Sequence, residues 1–263
     1  MKIPVLALFA VLALPLAALA EIKTREVAYT GGGVTMKGFL AWDSTATGKR
    51  GGVLVVHEWW GQNDYARMRA KKLAELGYVA LAVDMYGDGK TASHPDDAGK
   101  FAKEATANME SARARFEAAR KILLAEKNVD PKKIAAIGYC FGGGVVLEMA
   151  RRGADLAAVA SFHGSLATEK PAEKGKVRAK ILVATGSEDP FVPTEQVDAL
   201  ESEMKAAGAD CRVVRYAGAK HSFTNPGADE TGKKFGLPLA YDEKADKESW
   251  EEMKKLLARA FGG

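Results

Sequence analysis

The chain has 263 residues, 47% of them hydrophobic and 27% charged, enough to bury one full core without demanding a second domain. Acidic and basic residues are interspersed and the net charge is only +4, so there is no basic footprint for nucleic acid.

Residues 1–20 read as a secretory signal: Lys2 at the start, an apolar run over 3–14, Pro15, and the small-x-small site Ala18-Leu19-Ala20. The run is short, is broken by a proline and has no stop-transfer flank, which predicts cleavage after Ala20 and export to a bacterial periplasm, with no membrane association afterwards. Removing Lys2 leaves 37 basic against 34 acidic residues, a net charge near +3. The cysteines are Cys140 and Cys211, and nothing local makes them neighbours, so two free thiols are expected. A free thiol in an oxidising compartment points to a residue kept for its reactivity.

Alternating runs at 23–29 and 34–41, split by Gly31-Gly32-Gly33, predict an antiparallel hairpin at a sheet edge. From residue 53 the pattern changes. Runs at 53–56, 79–83, 134–137, 156–160 and 181–184 lack polar alternation, as strands covered on both faces do, and amphipathic stretches separate them. Helices are expected over 65–76, 97–126, 145–152, 195–207 and 247–261. The longest carries Phe101, Ala105, Met109, Ala112, Phe116, Ala119 and Leu123 as a core stripe. The fold class is therefore α/β, one domain over 21–263. It has a single doubly wound, mostly parallel sheet, helices on both faces and the hairpin at one edge. No dinucleotide turn and no histidine pair at ligand spacing are present, so neither a cofactor nor a metal is expected.

The most informative stretch is Gly138-Tyr139-Cys140-Phe141-Gly142, where an apolar strand runs directly into a glycine-rich helix start. Glycines on both sides of Cys140 suit a sharp strand-to-helix turn, a nucleophile elbow with cysteine at its tip. There the helix dipole favours thiolate, and the N–H of Phe141 becomes one oxyanion donor. An α/β-hydrolase supplies nucleophile, acid and histidine in that chain order. Asp189 follows the run 181–184 in a loop before Pro190, with Glu188 as the rival acid. Of His57, His94, His163 and His221, only His221 lies beyond Asp189, after a strand at 211–216; His57 and His163 close apolar runs and read as packed. The second oxyanion donor is expected in the loop 57–61, near Trp59, with Trp60 as an apolar wall.

These residues resemble the dienelactone hydrolase family. Gly138 to Gly143, His57-Glu58-Trp59-Trp60-Gly61, Asp84-Met85-Tyr86, the stretch 186–193 and His221-Ser222-Phe223 look like that family in its order. The resemblance implies the triad Cys140, Asp189 and His221, with backbone donors at Trp59 and Phe141. It also implies that Glu58 holds the resting thiol until substrate displaces it. It places Tyr86, Ser222 and Phe223, with Trp60, around the substrate. The two arginines with which such enzymes hold a substrate carboxylate fall at Gly87 and Asn225, which weakens dienelactone as the substrate. The expected activity is hydrolysis of a small ester or lactone through a thioester, by a monomer. The alternatives are a general carboxylesterase of the same fold and a silent periplasmic binding protein. The segment 224–246, rich in Gly, Pro and charge, is expected to form a rim or lid.

Overall fold

Why the central strands lack polar alternation is plain from the two cores they separate. In the computed structural model, which describes residues 20–262, Leu54 and Val56 point into one core while Val53 and Val55 point into the other. Ile181 and Val183 against Leu182 and Ala184 repeat the division further along the sheet. The segment read as an export signal lies outside the described residues but for Ala20.

In chain order the elements are β1 (Ile22–Gly31), β2 (Val34–Asp43), β3 (Arg50–Val56), α1 (Asp64–Glu75), β4 (Val79–Val83), α2 (Pro95–Thr106), α3 (Met109–Leu124) and β5 (Val129–Tyr139). There follow α4 (Phe141–Arg151), β6 (Ala158–Phe162), β7 (Lys180–Gly186), α5 (Thr194–Ala207), β8 (Cys211–Tyr216), α6 (Ala228–Phe235) and α7 (Glu243–Phe261). They build one eight-stranded sheet in the order β1-β2-β4-β3-β5-β6-β7-β8. The expected edge hairpin is β1-β2, and β2 also pairs antiparallel with β4, whereas every pairing from β4 to β8 is parallel. Helices α1 and α7 cover one face, and α3, α4 and α5 the other. The strand order reverses direction around β3, and the loops at the carboxyl ends of the parallel strands meet there, where ligands of open α/β sheets bind.

Two expectations need correction. The helix expected at 97–126 is two, because Asn108 interrupts it and its side-chain oxygen accepts from the N–H groups of Glu110 and Ser111 at 3.0 and 3.2 Å. The apolar stripe continues across the break because both helices turn the same side inward. Helix α4 starts at Phe141 rather than 145, since Gly142, Gly143 and Gly144 offer no periodicity to read. The rim 224–246 contains α6. Both cysteines are free, and burial pushes the Cys211 thiol up to about 12, leaving it protonated and unreactive.

Replacing Asn108 with alanine should cost about 1 kcal/mol, the usual value of a lost N-cap. Urea denaturation of the two proteins would show it; an unchanged midpoint would mean that packing alone sets the break.

Candidate active site

Strand β5 ends at Tyr139, helix α4 begins at Phe141, and Cys140 is the one residue between them, at φ 52°, ψ −116°. A non-glycine residue in that region is strained, and the surroundings must hold it there. A Cβ on Gly138 would fall 2.1 Å from the carbonyl oxygen of Gly142, and one on Gly142 would fall 2.3 Å from that of Val56. Only glycine lets the strand, the helix and the neighbouring strand β3 approach so closely. The amide of Cys140 donates to the Phe162 carbonyl at 3.0 Å, and that of Gly142 to the His57 carbonyl at 3.1 Å. Such ties fix the turn to the ends of β6 and β3.

His221, after β8, is buried and lines the same cavity as Cys140. Its Nδ1 lies 2.8 Å from Oδ2 of Asp189, itself buried in the loop after β7. Glu188, the rival acid, is exposed on the other side of that loop. Burial is the largest influence on His221 and works against its positive charge. The charge and hydrogen bond of Cys140 and the carboxylate of Asp189 outweigh it together, raising the imidazole to about 10. The second oxygen of Asp189 accepts from the Phe191 N–H at 2.9 Å, so the carboxylate has one orientation.

The loop after β3 is fixed by His57, which is fully buried and held neutral by burial, its pKa lowered to about 4. Its Nε2 accepts from the Met85 N–H at 3.2 Å, which makes Nδ1 the protonated nitrogen, donating to the Glu58 carbonyl. The carboxylate of Asp84 collects the N–H groups of Lys37, Tyr86, Gly87 and Gly89. Tyr86, aimed by this turn, donates to the Trp59 carbonyl at 2.8 Å.

Beside Cys140 opens a cavity of about 240 Å³. It is lined by Trp59, Ala102, Phe141, Ser165, Phe191, Val192, Leu237 and Leu239 as well as Cys140 and His221. Trp59 and Phe141, expected to supply backbone donors, thus both border it. The residues expected around the substrate do not. Trp60 faces a separate, more polar recess and stacks on Phe235; Tyr86 packs behind the loop against His57 and Phe141. Phe223 is wholly buried against His163 and Tyr216. The side chains of Ser222 and Phe223 both point into the protein.

Ser222 instead serves Glu58. The Glu58 carboxylate is 2% exposed; Oε1 accepts from the Ser222 hydroxyl at 2.9 Å and Oε2 from Nδ2 of Asn225 at 2.7 Å. Burial raises its pKa, against those two hydrogen bonds and the more distant charges of His221 and Arg69. Both oxygens of Glu58 are thus engaged with the rim rather than with Cys140.

One neighbour of Cys140 was read from sequence only as packed. His163, after β6 and at φ 40°, accepts the Cys140 N–H at Nδ1 (3.2 Å), so its proton sits on Nε2, which donates to the Thr224 hydroxyl at 2.7 Å. Burial, then the charges of His221 and Arg69, hold it neutral. The Thr224 hydroxyl also bonds that of Tyr65 at 2.6 Å, which accepts from the buried Arg69, the partner of Asp246 at 2.6 Å. Its strained backbone was a signal that no sequence pattern exposes.

A strained residue leaving a central parallel strand, with acid and histidine following on the next loops in that order, defines an α/β-hydrolase. Sequence narrows the class. The model of the Dienelactone hydrolase family matches residues 36–261, and the chain belongs to that family. It is 34% identical to protein usf of Aquifex pyrophilus over 73% of this chain and 84% of that one. Among solved structures, m3DLH is 40% identical, with a TM-score of 0.86 over 91% of this chain and 98% of its own. A dienelactone hydrolase-like promiscuous phosphotriesterase from metagenomic libraries is 38% identical, with a TM-score of 0.85 over the same shares.

His163→Phe keeps the ring and removes both nitrogens. It should cost about 1–3 kcal/mol in urea denaturation, the scale of a buried polar group left without its partner. Alkylation of Cys140 by iodoacetamide should slow as the turn loosens, and an unaltered rate would restrict His163 to a purely structural part.

Proposed function

We propose that the protein hydrolyses small activated esters or lactones through Cys140, by way of a thioester. The observation that carries this reading is that Cys140 and His221 line the same apolar cavity, with the His221 ring held from behind by Asp189.

The Cys140 thiolate adds to the ester carbonyl carbon, and the new oxyanion lies between the backbone N–H groups of Trp59 and Phe141. Collapse breaks the bond to the leaving oxygen, which takes a proton from the His221 imidazolium, and the acyl group stays on sulfur. His221, now neutral, removes a proton from water as it attacks the thioester. Asp189 holds the tautomer throughout, and the second collapse releases the acid and restores the thiolate. A thiolate leaves a tetrahedral intermediate more readily than an alkoxide does, so phenolate or enolate leaving groups are favoured and amides are poor substrates.

Mass spectrometry of the protein quenched during turnover of a 4-nitrophenyl ester should show one acyl group on Cys140. Cys140→Ala should abolish both adduct and turnover; an alanine variant of undiminished activity would end the assignment. The same variant removes the anion that supports the imidazolium, while burial of the ring remains. The His221 pKa, followed by the NMR shift of its Cε1 proton, should therefore fall from about 10.

A further inference from the structure

We infer that this site takes an uncharged ester with an apolar acyl part and excludes substrates that carry a carboxylate. The inference rests on the hydrolase reading above and assigns its substrate class.

Of the residues lining the cavity beside Cys140, none is lysine or arginine. Its one cationic group is the His221 ring, which is paired with the Asp189 carboxylate at 2.8 Å and shares the cavity wall with Cys140. Two side-chain donors stand next to His221, the Ser222 hydroxyl and the Asn225 amide, and both are committed to Glu58 at 2.9 and 2.7 Å. A cation cannot be supplied from residue 87 either. Gly87 is at φ 96°, and a Cβ there would fall 2.3 Å from Cγ1 of Val34.

A carboxylate entering this space would lose its water and find no lysine or arginine to pair with. An apolar acyl chain meets the opposite reception from Phe141, Val192, Leu237 and Leu239. At about 240 Å³ the space lies below the ~300–1,000 Å³ of pockets for drug-sized ligands, so the acyl part is small. Phe191, 49% exposed and edge-on to the His221 ring at 4.9 Å between centroids, offers apolar surface at the mouth for an aryl leaving group. The hold of Ser222 and Asn225 on Glu58 has a second consequence. The nucleophile faces its base in the free protein, so no charge on the substrate is needed to release it.

Two measurements separate this inference from the reading beneath it. The first needs no turnover: alkylation of Cys140 in the folded protein by iodoacetamide and by iodoacetate, reagents that differ in charge and share a leaving group. Each rate is divided by the rate for free glutathione. The second compares kcat/KM for 4-nitrophenyl pentanoate and for the 4-nitrophenyl monoester of glutaric acid.

The neutral member should be favoured in both pairs, by about 100-fold for the esters, the scale of an unpaired buried charge. Asn225→Arg, which adds a cation and loosens Glu58, should narrow both ratios. Equal or reversed preferences would overturn the inference. If neither ester were hydrolysed and Cys140 stayed unacylated, while iodoacetamide kept its advantage, the hydrolase reading would fall and the charge preference would stand supported.

Discussion

The turn at Cys140 depends on backbone segments packed closer than any side chain allows. With the Cβ positions of Gly138 and Gly142 already filled by neighbouring carbonyls, β5 can end and α4 begin within a single residue, and that residue is forced out of ordinary backbone space. The geometry serves chemistry in two ways. It leaves Cys140 at the amino end of a helix, the end that favours negative charge, and it brings Phe141, the first residue of that helix, to the cavity wall. Neither is obtainable from a relaxed loop, which would satisfy its own amides.

A second constraint is electrostatic. Burial opposes charge on His221, on Glu58 and on His163, and each is resolved differently. His221 is paired with the Asp189 carboxylate beside Cys140 and its pKa is raised; His163, held down by burial and by the charges of His221 and Arg69, stays neutral, free to accept the Cys140 N–H. Glu58 is held by neutral donors from the rim. A protonated His163 would carry hydrogens on both nitrogens and lose the bond to Cys140, so its neutrality is part of the turn's geometry.

The sequence was most legible where one physical cause dominated a stretch. Two-sided burial wrote the strands as unbroken apolar runs, and the turn wrote itself as Gly-x-Cys-x-Gly. Legibility failed where causes overlapped. The break at Asn108 hides inside a stripe that stays in phase, and the start of α4 hides in glycines. Asp189 and Glu188 are adjacent and chemically alike; only the path of the loop, which buries one and exposes the other, decides between them. Glu58 meets Ser222 and Asn225 across more than 160 residues of chain, a pairing no local pattern can announce. The cavity wall at Leu237 and Leu239 lies in a segment without period, whereas Trp60, Tyr86 and Phe223 lie outside that wall.

That segment joins features which otherwise look independent. Within the stretch after β8, Ser222 and Asn225 hold Glu58, Thr224 holds His163, and Leu237 and Leu239 close the cavity. Arg69, on α1 and almost wholly buried, clamps both ends by donating to the Thr224 carbonyl and to Asp246 in the first turn of α7. Removing one side of a buried ion pair strands the other charge, so this clamp resists piecemeal change. The residues it frames are under no such restraint. Substitutions at 237 or 239 would alter the shape of the cavity and leave Cys140, Asp189 and His221 in place, because those three stand at strand ends of the sheet and the rim is held by Arg69.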